Sequence, residues 1–384
     1  MKRVRTRLGM TALLLLALTL AGGLFLYWIG IDALEGRNTF QFFADSGTYH
    51  TVARGDLLGV EGVGDSIGIA ANFFGPLLML QLTGENYYAV MAVNALLLYF
   101  SIASISRSLR FDSLRFTLLL LLNPITISSL LSVNKEVFSL VFVALLLRAY
   151  SAGSLLSWVA AALVSMLARW QLTVFLIAFT VALTPVNPFR RDRLRTILIL
   201  LICLSILYVQ LATVFESIRF TFEQSAAEYE GSGFYEWLQG WQEKGAYWLI
   251  FPLKALHLLF GLGLRFDRLL APTDVYNDVW QLLHSTMTLV LFIALCKKRL
   301  FKLQNDLVYI SVFYLAIFAM SPIYSPRYFY PLYVLWAAAL ASHMPIVHLL
   351  RPEPSGKDRR PFRKSNAPSA QHAAEGALMP RTTP

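Results

Sequence analysis

Four short stretches of this sequence carry side chains able to move a proton and hold a phosphate. "FFADSGTYHTVARG" (42–55) sets Asp45 one helical turn before Tyr49 and His50, and "SVNKEV" (132–137) joins Lys135 to Glu136. "ARWQ" (168–171) holds Arg169, and "SPIYSPRYFYP" (321–331) holds Arg327 and Tyr328. A carboxylate can take the proton of an attacking hydroxyl, while arginine and lysine can bind a phosphate or pyrophosphate leaving group. The chemistry these residue types fit is transfer from a phosphate-bearing donor. Asp45 is the candidate base, and Tyr49, His50, Lys135, Arg169, Arg327 and Tyr328 are the candidate binding residues. The aromatics of 324–330 and of "GFYEWLQGWQEKGAYW" (233–248) offer apolar faces of the kind that stack on sugar rings.

Each stretch also has a plainer explanation. Lys135 and Glu136 could end one helix and cap the next, and Arg169 beside Trp170 could be an interfacial anchor. "YSPRYFYP" could be an aromatic belt with a proline-fixed helix start, and Asp45 a solvated loop acid. What weighs against four separate plain explanations is sidedness, and that depends on the elements that position the stretches.

Composition decides the class of those elements. The 384 residues are 57% hydrophobic and only 15% charged, the mean hydropathy is +0.56, and apolar runs recur, as in a polytopic helical membrane protein. Cys203 and Cys296 lie in or at the edge of apolar runs without CxxC or CxxH spacing, so neither a disulfide framework nor a zinc site is indicated. The net charge of +10 is concentrated at the termini. Residues 1–9 hold four basic residues and no acid, and 349–384 hold seven against three, so the two ends supply +8 of the +10. This is the pattern of cytoplasmic anchoring to anionic lipid and not of nucleic-acid binding.

Topology follows from charge and length. The first apolar run continues to about residue 30 and reads as an uncleaved first helix, which places residue 31 onward outside. Basic clusters at Arg107–Arg115, Arg190–Arg195, Lys297–Lys302 and the tail mark cytoplasmic returns. To keep all four inside, 66–83 and 246–263 are assigned to amphipathic or re-entrant segments at the outer face. Spans are then expected near 10–30, 87–105, 116–131, 137–150, 154–168, 171–188, 196–214, 278–296, 306–321 and 327–347. The fold expected is all-α, a polytopic transmembrane bundle of about ten helices, with both termini cytoplasmic. Residues 1–348 form the membrane domain, with outer loops 31–86 and 215–277, and the Pro-, Ser- and Ala-rich basic segment 349–384 is expected to be a disordered tail.

With this topology all four chemistry-bearing stretches fall on the outer side, together with Glu61 and Asp65. Charges in short turns between apolar helices are usually absent unless they are needed. A shared outer cavity is the expectation.

The order of these features resembles the GT-C superfamily of integral-membrane glycosyltransferases, which take sugars from polyprenyl-phosphate or pyrophosphate carriers. The likeness rests on the acid of "ADSGTYHTVA", the segment "FGPLLMLQLTGENYYAVMAVNALLLYFSIASISRSL", the Asn-Pro helix "LLNPITISSLLSVNKEVFSLVF" and the late "SPRYFYP", covering roughly 38–150 and 320–335. It implies that Asp45 matches the first-loop catalytic acid, Glu136 the second catalytic acid after the third helix, and Arg327 the basic residue near the lipid phosphate. It further implies a polyprenyl-phosphate-linked sugar donor, a glycan or lipid acceptor and a site on the outer face of a bacterial cytoplasmic membrane. Position 45 has no paired acid, so no metal or other cofactor is indicated. The "NKE" turn and the size are also similar to Wzy- or EpsG-type polysaccharide polymerases, and the sequence does not separate one transfer from polymerisation. A lipid-linked glycan flippase or transporter and a nonenzymatic membrane subunit remain open. Against a transporter, the polar residues gather at one rim and no internal repeat is present. There is no P-loop or HExxH motif.

Overall fold

The computed structural model describes residues 7–30, 46–53, 74–215, 233–260, 279–321 and 325–343, and among these no strand occurs. An unbroken leucine-rich run makes α1 (Leu8–Ile29), whose lipid-compatible surface exposes Leu13, Leu20, Leu24 and Trp28. Next come α2 (Ser46–Ala53), α3 (Phe74–Thr83) and α4 (Tyr87–Leu109). The last is started by Asn86, whose Oδ1 accepts from the backbone N–H groups of Tyr88 and Ala89.

The single span expected at 116–131 is two helices, α5 (Ser113–Leu121) and α6 (Pro124–Leu131), bent by 91° at Leu122–Asn123. Pro124 cannot supply the N–H that would continue α5, and it disfavours helical geometry at Asn123. Side chains take up the carbonyls freed by the break: Thr126 Oγ1 donates to Leu120, and the Tyr333 hydroxyl to Leu119. Such a break is tolerated at membrane depth only where protein surrounds it.

The chain continues through α7 (Glu136–Ala152), α8 (Leu155–Ala168), α9 (Trp170–Leu183) and α10 (Arg193–Gln210). The pair α11 (Gly233–Glu243) and α12 (Tyr247–Phe260) follows, then α13 (Gln281–Lys297) and α14 (Asp306–Phe318). A 3-10 turn (Pro326–Phe329) leads into α15 (Tyr330–His343). Helices α7 and α15 are apolar around nearly their whole circumference and correspondingly form the centre of the bundle.

Three helices, α1, α4 and α10, are long and apolar enough to cross a membrane, and the bent pair α5–α6 makes a fourth if counted as one span. Helices α3, α8, α9, α12, α13 and α14 are apolar but have only 10–17 residues. Length and composition thus account for three or four of the ten crossings expected. Of segments 66–83 and 246–263, kept out of the span count on sequence, the described residues include α3 and α12.

Polar ties between loops join segments that the charge pattern assigns to one side. Asp112 faces Arg7 at 3.8 Å and Arg115 at 3.9 Å, and Arg193 holds both the Leu303 carbonyl, at 2.7 Å, and Asp306. The tail 349–384 lies outside the described residues.

Candidate functional site

Asn134 sets the first part of the site. Its Oδ1 accepts from the N–H groups of Glu136 at 3.0 Å and Val137 at 3.4 Å, which caps α7. Lys135 stands at the N-cap position but its side chain makes no cap bond. The cap places Glu136 in the first turn of α7, where the helix dipole favours an acid, and its carboxylate is buried.

Arg169 sits at the corner between α8 and α9 with extended backbone, its N–H closing α8 on Ser165 and its carbonyl opening α9 on Leu172. The corner directs its side chain inward. Arg169 is 6% exposed, whereas its neighbour Trp170 is 38% exposed. Trp170 has the exposure of an interfacial anchor and Arg169 does not. The guanidinium gives Nη2 to Glu136 Oε1 at 2.6 Å and stacks on the Tyr328 ring, 3.9 Å from its centroid. Its Nε and Nη1 are buried without a hydrogen-bond partner among the described residues. These two atoms carry three of the five guanidinium donors, and leaving buried donors unmade is costly.

Tyr328 comes from the 3-10 turn that Pro326 opens. The Tyr314 hydroxyl of α14 donates to the Tyr328 carbonyl at 2.6 Å, and Arg327 lies 5.7 Å from the Tyr328 ring centroid. On the other side, Lys135 Nζ lies 5.7 Å from the ring centroid of Tyr49, which α2 buries together with His50. His50 stacks on Tyr87 at 4.6 Å and faces Glu85 at 3.8 Å. Gly84 and Glu85 both take positive φ, a left-handed turn that ends α3 and brings Glu85 to His50. Gly75 lets α3 approach this end of α8, since a Cβ there would lie 2.3 Å from the Leu167 carbonyl oxygen.

Contacts thus join Tyr49 to Lys135, and Glu136, Arg169, Tyr328 and Arg327 to one another in series; His50 and Lys135 connect to these groups as chain neighbours of Tyr49 and Glu136. The remaining candidate, Asp45, lies outside the described residues, as do Glu61 and Asp65. No protein family, curated protein or solved structure matches the chain.

Three participants are absent from the sequence reading. Glu85 has the look of an ordinary turn residue. His284 of α13 is buried, with Nδ1 2.7 Å from the Asn123 amide nitrogen. Asn123 uses its Oδ1 to cap α6 at Ile125, so the amide nitrogen faces His284 as donor and Nδ1 accepts. The ring's other nitrogen then carries the proton, on the side of the Pro326 backbone. His284 thus bridges the helix break to the turn carrying Arg327, and Tyr330 bonds Thr126 beside it at 2.9 Å. A histidine inside an apolar run was the available signal. The third is Lys254, fully buried on α12. Among the described residues no three His, Cys, Asp or Glu side chains converge as a metal site would require.

Proposed function

We propose that the chain is a membrane glycosyltransferase that moves a sugar from a polyprenyl-phosphate-linked donor to a glycan or lipid acceptor at the outer face of the cytoplasmic membrane, within a ten-crossing topology. The observation that carries this is Arg169: buried, oriented by Glu136 and Tyr328, and holding donors with no partner among the described residues. A group so placed suits an oxyanion that arrives with a ligand. Lys135 and Arg327 are assigned with it to the phosphate, and Tyr49, His50 and Tyr328 to substrate binding.

In this scheme the Asp45 carboxylate takes the proton of the acceptor hydroxyl as that oxygen attacks the anomeric carbon. The bond from that carbon to the carrier phosphate breaks, and the phosphate leaves with its electron pair against Arg169. Configuration inverts in this single displacement. Glu136, engaged with Arg169, holds the cation in place and does not itself move a proton.

A lipid-linked glycan flippase draws on one observation, the buried polar residues of α4: Asn94, Ser101, Ser104 and Ser106. Asn94 and Ser101 are, however, already engaged, Asn94 with the carbonyls of Leu130 and Ser132 and Ser101 with that of Leu97. The test separates the two. Protein reconstituted in nanodiscs, which have no sealed interior, is supplied with a panel of polyprenyl-phosphate sugars and membrane-lipid or glycan acceptors. A covalent sugar product that disappears in Arg169→Ala supports transfer. Lipid-linked glycan translocation in sealed vesicles with no covalent product in either preparation overturns it.

A further inference from the structure

The end of α14 is held by a group of side chains from the α11–α12 pair. Gln242 Nε2 donates to the Met320 carbonyl at 2.6 Å, Tyr235 Oη to the Ser321 carbonyl at 3.4 Å, and Tyr247 to the Ala316 carbonyl. Lys254 Nζ, 0% exposed, donates to the Ser321 carbonyl at 3.2 Å and to Gln242 Oε1, and lies 5.4 Å from the Tyr235 ring centroid. The last carbonyls of a helix lack intrahelical partners and carry its negative dipole end, which suits a lysine. A buried lysine is expensive unless its donors are used. These contacts point at the segment leading to Arg327.

We infer that Lys254 is a positioning residue: with Gln242 and Tyr235 it clamps the chain at 320–321 and so fixes the turn 325–328 that presents Arg327 and Tyr328. Ser321 precedes Ser325 by four residues, a reach of at most about 14 Å. The same turn is tied at Pro326 by His284. Burial pushes the Lys254 ammonium down from the ordinary lysine value to about 7, with the Glu243 carboxylate opposing. A neutral amine retains two N–H donors for its two oxygen acceptors, so the clamp does not require the charge.

Ser325 is buried at 8% exposure and is a natural reporter. The full chain, with Cys203 and Cys296 changed to Ser and Ser325→Cys added, is labelled with a maleimide in proteoliposomes. Lys254→Met is expected to raise the labelling rate at position 325 about tenfold, Lys254→Arg to restore part of the protection, and Lys302→Cys in the same backgrounds to label at an unchanged rate. Tyr235→Phe, which keeps the ring, is expected to give a smaller rise of about threefold and carries the test if Lys254→Met does not insert. Protection of the position-325 thiol unchanged in Tyr235→Phe, and in Lys254→Met where it inserts, overturns the clamp.

The consequence for catalysis rests on the transferase proposal: donor KM rises in Lys254→Met with kcat largely kept. Labelling is independent of activity, so loss of the clamp and loss of the transferase proposal are read separately.

Discussion

Arg169 and Glu136, 33 residues apart in sequence, meet in a buried ion pair through one nitrogen and one oxygen, Nη2 to Oε1 at 2.6 Å. The pair brings the start of α7 to the corner between α8 and α9. Its asymmetry is the informative feature. The carboxylate engages one edge of the guanidinium and leaves Nε and Nη1 for something the described residues do not provide.

The pair predicts strong coupling. Arg169→Ala and Glu136→Ala should each destabilise the protein by about 3–5 kcal/mol, because each leaves a buried charge uncompensated. The double variant should be less unstable than the two added together, by at least about 1 kcal/mol. Denaturant unfolding in micelles measures this; additivity within about 0.5 kcal/mol would mean the pair is not coupled.

Asp45→Asn tests the base. The change is isosteric and keeps a good capping residue, so expression and insertion should be normal. Turnover should fall by about 10²–10⁴-fold, since an amide cannot accept the acceptor's proton. Donor binding should survive because the phosphate is assigned to Arg169, Lys135 and Arg327. Wild-type transfer by the purified variant would remove Asp45 from the mechanism.

His284→Ala should cost stability in an identifiable place. It strands the Asn123 amide in a buried setting, at about 1–3 kcal/mol. A thiol introduced by Ser325→Cys should also become more reactive, as the second anchor of the turn is gone. His284→Gln, which can present a donor and an acceptor, should recover part of both effects. A melting temperature equal to the parent's in His284→Ala would show that the bridge contributes nothing.

Sidedness can be measured at exposed positions. In a cysteine-free background, Gln81→Cys and Lys244→Cys are expected to react with an impermeant maleimide from outside the cell. Arg107→Cys and Lys302→Cys should react only after the membrane is opened. Labelling of position 81 from the cytoplasmic side would invert the topology and remove the outer-face site.

Hydropathy and charge sum along the chain, so the helical class, the membrane character and most helix positions were legible without coordinates. The caps were not read from the sequence, although asparagine serves at short range: Asn86, Asn123 and Asn134 each satisfy N–H groups two or three residues on. The break at Asn123–Pro124 had its signal in the proline, but a summed hydropathy window reads across it. Tertiary packing decided the rest. That Arg169 is buried against Glu136 and Tyr328, that His284 links Asn123 to Pro326, and that Lys254 holds the end of α14 all depend on distances between residues remote in sequence. An isolated arginine, histidine or lysine in an apolar stretch has the same local hydropathy whether it anchors at the interface or turns inward. Only the packed helices supply the partners that offset its burial, and those partners determine whether the charge is satisfied or left with donors for a ligand.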